Sequence, residues 1–189
     1  DTVYMSNLCQ EITLPTKPLN HIDDEEGEIA LCILSAINVG TIKGLEDLED
    51  LCELAVRALE EIIDYQKYPI KAAEISTKAR RSLGIGYIGL AHFLAKNKVN
   101  YADKEAWQLV HDLSEAFQYY LLKASNKLAQ ERGPCDYFDR TKYSDGILPI
   151  DTYKSDVDSI VKNKLNYDWD TLRKSIREHG LRHSTLSAQ

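Results

Sequence analysis

Ile29-Ala30-Leu31-Cys32-Ile33-Leu34-Ser35-Ala36-Ile37 is a nearly continuous apolar run of strand length. Its β-branched content predicts a strand buried on both faces, as in a parallel sheet. From Leu45 the period changes. Leu45, Leu48, Leu51, Cys52, Ala55, Ala58, Leu59, Ile62 and Ile63 recur mostly at three- and four-residue steps, with acidic residues among the intervening positions. That spacing predicts an amphipathic helix of about five turns.

On the N-terminal side, Ser6-Asn7-Leu8-Cys9-Gln10-Glu11-Ile12 is a mixed, loop-like stretch, and Pro15 and Pro18 exclude a helix through that region. The acidic run Asp23-Asp24-Glu25-Glu26-Gly27 reads as a solvated turn, because a calcium loop needs alternating ligands over about twelve positions. On the C-terminal side a second helical stretch is predicted over 72–96 and a third over 104–130, stopped by Gly133-Pro134. Shorter helices are expected over 154–162 and 168–179, the latter closed by Gly180. A final strand is expected over 181–187. Long helices and few strands place the chain in the α/β class with helix in excess.

The 189 residues are 43% hydrophobic and 28% charged, which suits one globular domain or a large part of a bigger one. A net charge of −7 argues against general attraction to nucleic acid or anionic lipid. No apolar run approaches the roughly 20 residues that cross a bilayer. Asp1-Thr2-Val3-Tyr4-Met5 is neither a signal peptide nor an initiator methionine, so the expectation is a segment of a longer protein. Cys9, Cys32, Cys52 and Cys135 form no CxxC pair, which argues for a reduced, intracellular chain and against structural zinc.

Gly84-Ile85-Gly86-Tyr87-Ile88-Gly89 fits the letters of a dinucleotide fingerprint, but polar, basic Thr77-Lys78-Ala79-Arg80-Arg81-Ser82 precedes it where a hydrophobic strand belongs. Close packing through small residues is the better use of these glycines. His179 and His183 have a metal-like spacing that Gly180 interrupts, which favours exposed or packed histidines. Tyr119 and Tyr120, adjacent on a predicted helix, read as one packed and one half-exposed residue.

In an extended segment Asn7, Cys9 and Glu11 point to one side, bringing together an amide, a thiol and a carboxylate. The carboxylate would raise the thiol pKa and hinder thiolate chemistry. A neutral thiyl radical escapes that penalty and leaves the carboxylate free to act as a base. Spacing alone leaves a turn cysteine and a catalytic one equally open. A cysteine hydrolase is disfavoured, because no histidine is placed by any pattern to activate Cys9.

Ser6-Asn7-Leu8-Cys9-Gln10-Glu11-Ile12 followed by Leu14-Pro15-Thr16 resembles the radical-cysteine finger loop of class I ribonucleotide reductase large subunits. Further words match in order: Gly27-Glu28-Ile29-Ala30-Leu31-Cys32, Arg80-Arg81-Ser82-Leu83-Gly84-Ile85-Gly86, Gly146-Ile147-Leu148-Pro149-Ile150-Asp151-Thr152-Tyr153 and Gly180-Leu181-Arg182-His183-Ser184-Thr185-Leu186-Ser187-Ala188. The resemblance covers essentially the whole chain. It implies that residues 1–189 are a central segment of a ten-stranded α/β barrel, with a finger loop over about 6–14 and barrel sequence missing on both sides.

By the same resemblance, Cys9 holds the thiyl radical that removes the 3′ hydrogen of a ribonucleotide, most simply a diphosphate. Glu11 takes the 3′ hydroxyl proton, and Asn7 orients the sugar hydroxyls, since hydrogen transfer is sensitive to small misplacements. Cys32 is one of two cysteines that supply electrons and end as a disulfide, its partner lying upstream of Asp1. A Ser-rich substrate-phosphate loop, a tyrosine relay that excludes Tyr119-Tyr120, and re-reducing cysteines are implied beyond Gln189. Cys52 and Cys135 match no functional cysteine. The implied partners are the remaining large-subunit segments, a radical-generating metal small subunit, and thioredoxin or glutaredoxin, in the cytoplasm. No cofactor is implied in this segment, and nucleotide effectors (ATP, dNTPs) belong mostly to upstream sequence. The alternative is a separately encoded fragment, inactive alone, that assembles with other pieces of a split enzyme.

Overall fold

A computed structural model describes residues 3–4 and 12–187. Its framework is a parallel pair of strands, β1 (Ile33–Asn38) and β2 (Leu83–Ile88), in register from Ile33 opposite Leu83 to Asn38 opposite Ile88. A parallel pair needs a long crossover. Here it is supplied by α1 (Asp47–Tyr65) and α2 (Lys71–Arg80). After β2 come α3 (Leu90–Lys96), the long α4 (Lys104–Arg132) and α5 (Trp169–His179).

The apolar stripe of α1 drives the packing. Leu48, Cys52, Val56, Leu59 and Ile63 are buried, and α1 packs on both strands and on α4. Asp47, Glu49 and Asp50 lie in its first turn, where carboxylates complement the exposed N–H groups and the helix dipole. From α4, Leu113, Phe117, Leu121 and Leu128 complete the core, with Phe117 edge-on to Tyr87 of β2 at 5.4 Å between ring centres. Asp168 caps α5 through the Thr171 N–H, and Gly180 ends it at φ 77°.

Four expectations need correction. The first strand begins at Ile33, not Ile29, and only one face is covered: Ile37 is buried, whereas Leu34 on the opposite face is 59% exposed. Among the described residues no second layer covers that face. The stretch 72–96 is not one helix but α2, β2 and α3. Arg81 leaves the helix in a left-handed conformation (φ 49°, ψ 48°), and Gly84 and Gly86, poor helix formers, lie inside β2. The helix expected over 154–162 shrinks to a tight 3₁₀ turn, Ser155–Ser159.

The run 181–187 is not a regular strand, yet it follows the outer edge of β2: the Leu83 and Ile85 N–H groups donate to Thr185 and Leu186 carbonyls at 3.0 and 2.9 Å. The described residues are thus helix-rich α/β with a small parallel sheet and no closed barrel. No helix among them is long and apolar enough to cross a membrane.

Candidate functional site

Asn7, Cys9 and Glu11 lie outside the described residues. Cys32 is described: it is half-buried and sits immediately before β1, not within it. The Ile33 N–H donates to the Ser82 carbonyl at 3.2 Å, so Cys32 enters the sheet beside Ser82 at the start of β2. Ser82 Oγ in turn lies 3.0 Å from Ser184 Oγ. The amino-terminal ends of β1, β2 and the 181–187 run therefore meet side by side.

The chain that follows the candidate loop is pinned to the same place. Ile12 and Leu14 are buried, and Lys17 and Glu28 exchange two antiparallel backbone hydrogen bonds, both 3.0 Å. Glu28 then accepts from Arg80 at Oε2, 2.7 Å from Nη2 and 3.1 Å from Nε, with Arg140 3.6 Å from its other oxygen. Tyr137 lies between the two guanidiniums, 4.9 Å from Arg80 and 3.7 Å from Arg140. Charge-assisted bonds at such low exposure fix geometry. A cavity of about 520 Å³ opens here, lined by Thr13, Leu14, Arg80, Lys142, Ser184 and Thr185.

Beneath this lies a buried ionic hub. Glu60 of α1 has no solvent exposure. Its Oε2 accepts from Arg81 Nε at 2.7 Å and His183 Nε2 at 3.0 Å, and its Oε1 from Arg182 Nε at 2.7 Å. Burial opposes ionisation of Glu60, but these three donors outweigh it and hold the carboxyl at about 2. Ser125 Oγ of α4 accepts from the His183 backbone N–H at 3.2 Å and lies 2.9 Å from Nδ1. Nε2 faces the Glu60 carboxylate and so carries the hydrogen, and in the neutral imidazole Nδ1 accepts from the Ser125 hydroxyl. Burial pushes the His183 pKa down, in keeping with that tautomer.

The other candidates settle into structural places. Both His183 nitrogens are engaged in the hub, and His179 is exposed at the end of α5. Burial pushes the Cys52 thiol up to about 12 and Cys135 up to about 11, so neither supplies a thiolate near neutrality. Tyr119 stacks on Tyr167 at 4.7 Å and meets Trp169 edge-on at 5.2 Å. The glycine motif forms β2 and the left-handed Gly89 that opens α3, not a phosphate loop.

Glu28, Arg80 and Glu60 carry roles that sequence reasoning did not assign. For Glu60 a signal existed: it sits four residues after Val56 on the apolar stripe of α1, where a carboxylate requires buried partners.

A family model described as the ribonucleotide reductase barrel domain matches residues 1–189. The ribonucleoside-diphosphate reductase alpha subunit of Haemophilus influenzae is 61% identical over 186 residues, covering 98% of this chain and 25% of that protein. The same subunit from Buchnera aphidicola of Schizaphis graminum is 59% identical over 187 residues, covering 99% of this chain and 24% of that protein. That of Enterobacteria phage T4 is 43% identical over 188 residues, with 98% and 24% covered. The chain spans about a quarter of the length of the curated relatives it matches.

Proposed function

The chain belongs to the ribonucleotide reductase barrel-domain family, and from that premise we propose that residues 1–189 form a central segment of the ten-stranded catalytic barrel of a ribonucleoside-diphosphate reductase large subunit. The observation that carries the reading is the match to that family along the entire chain, including the finger-loop words around Cys9.

In this reading a radical delivered from the small subunit oxidises the Cys9 thiol to a thiyl. The thiyl takes the 3′ hydrogen of the substrate ribose, forming S–H and leaving a carbon radical. Glu11 accepts the 3′ hydroxyl proton, Asn7 holds the hydroxyls, and the 2′ hydroxyl departs as water. Cys32 and a cysteine outside residues 1–189 supply two electrons and two protons and become a disulfide, which thioredoxin or glutaredoxin restores through further thiols. Cys9 then gives the hydrogen atom back to the 3′ carbon, becomes a thiyl again, and is reduced to the thiol as the radical returns to the small subunit. The anchoring of the 12–17 run to Glu28 supports a fixed loop base, and the placement of Cys32 beside Ser82 supports a redox cysteine at a shared strand end.

Replacing Cys9 by Ser in the complete enzyme, with both subunits present, should abolish turnover while equilibrium dialysis shows nucleotide binding nearly unchanged. Turnover near the parent level would overturn the assignment.

A further inference from the structure

An apolar groove of about 830 Å³ runs between α4 and the strap formed by residues 149–165. Leu94, Val110 and Ala106 line it from one side and Ile150, Val157 and Val161 from the other. Large side chains along it meet solvent: Tyr101, Trp107, Tyr153, Ile160 and Leu165 are all exposed. A contiguous patch of that kind marks a contact surface.

The chemistry of the lining decides what fits. No lysine or arginine lines the groove, so a nucleotide phosphate finds no counter-charge. Its one carboxylate, Glu115, is occupied by the Asn166 backbone and side-chain N–H groups and by Trp169 Nε1 at 2.8–2.9 Å. His111 Nε2 lies 3.2 Å from Asn163 Oδ1, whereas Nδ1 is buried with no hydrogen-bond partner. That Nδ1 faces Asp112 Oδ1 at 3.6 Å and is closed off from the groove, so it offers an occupant no polar contact. The occupant is therefore apolar along its length.

We propose that the groove is filled by an apolar segment of the same large subunit lying outside residues 1–189. The relatives are about four times the length of this chain, so in the proposed reading the subunit has polypeptide outside residues 1–189 available to cover this face. The inference rests on the reading of residues 1–189 as part of that subunit and not on the radical role of Cys9, so the Cys9→Ser assay and the test below fail independently.

The test is hydroxyl-radical footprinting of the full-length large subunit without its small subunit, read by mass spectrometry. Tyr65 at the end of α1, 90% exposed, serves as the internal reference. Tyr101, Trp107 and Tyr153 should lose nearly all labelling relative to it. Labelling of all three as freely as Tyr65 would overturn the proposal, and so would protection that arises only on adding the small subunit. Ile160→Asp supplies a second readout. Though Ile160 is half-exposed in this segment, a carboxylate buried under the occupant should lower the Tm of the full-length subunit by several degrees. An unchanged Tm would count against the filled groove.

Discussion

Glu60 shows how one side chain can hold four elements. It extends from α1 and receives Arg81 from the α2–β2 junction and Arg182 and His183 from the run beside β2, with Ser125 of α4 behind the imidazole. Buried charges of this kind stabilise little relative to a well-packed apolar replacement, but removing one partner leaves the others uncompensated. Glu60→Gln takes the carboxylate from Arg182 and leaves Arg81 with Asp64 alone, and should destabilise the intact subunit by about 3–5 kcal/mol, measured by denaturant unfolding.

Acid should act on the same hub. His183 has a folded pKa below its ordinary 6.5, and Glu60 sits at about 2 against an ordinary 4.5. Below pH 6.5 the unfolded chain takes up a proton at His183 that the folded chain refuses, and below 4.5 the same holds for Glu60. Both contributions are complete above pH 6.5 and decline on acidification, that of His183 from 6.5 downward and that of Glu60 between 4.5 and 2. Denaturation midpoints measured against pH should show this slope, and His183→Gln should remove the decline that begins at 6.5.

Elements differ in how plainly their residues announce them. α1, α4 and α5 were legible because an apolar stripe at helical period is a property of one element alone. β2 was not. Leu83-Gly84-Ile85-Gly86-Tyr87-Ile88 has two glycines and no clean alternation, and it becomes a strand because β1 pairs with it at a sequence separation of fifty, Ile33 opposite Leu83. The 181–187 run gains its place in the same non-local way. Gly89 makes the β2–α3 junction possible: it lies at φ 80°, and a Cβ there would run into Asn38 Oδ1, which caps the Gly40 N–H at 3.1 Å. Gly89→Ala should therefore destabilise by about 1–3 kcal/mol, visible as a lower Tm in calorimetry.

At the scale of the molecule, the class was legible but the openness was not. Apolar residues at 29–37 announce burial without saying what performs it, and Leu34 awaits a cover that the described residues do not contain. The Asn7, Cys9 and Glu11 assignment came from recognisable words and not from periodicity, whereas the Glu28–Arg80–Tyr137 cluster joins positions too far apart in sequence for any local pattern to link. The outer edge of β1 has no backbone partner among the described residues, and exposed strand edges template association. Residues 1–189 produced alone should self-associate with concentration in light scattering. Leu34→Lys, placing a charge beside that edge, should shift the onset to higher concentration.

The hub also sets a clock on biosynthesis. Glu60 leaves the ribosome long before His183, its hydrogen-bond partner 123 residues later. At roughly 5–20 residues per second, that interval is on the order of ten seconds. Throughout it, a carboxylate destined for the interior remains hydrated, and α1 cannot close fully on α4. The nascent chain thus carries a half-built core through a defined window in which a chaperone has the most to protect.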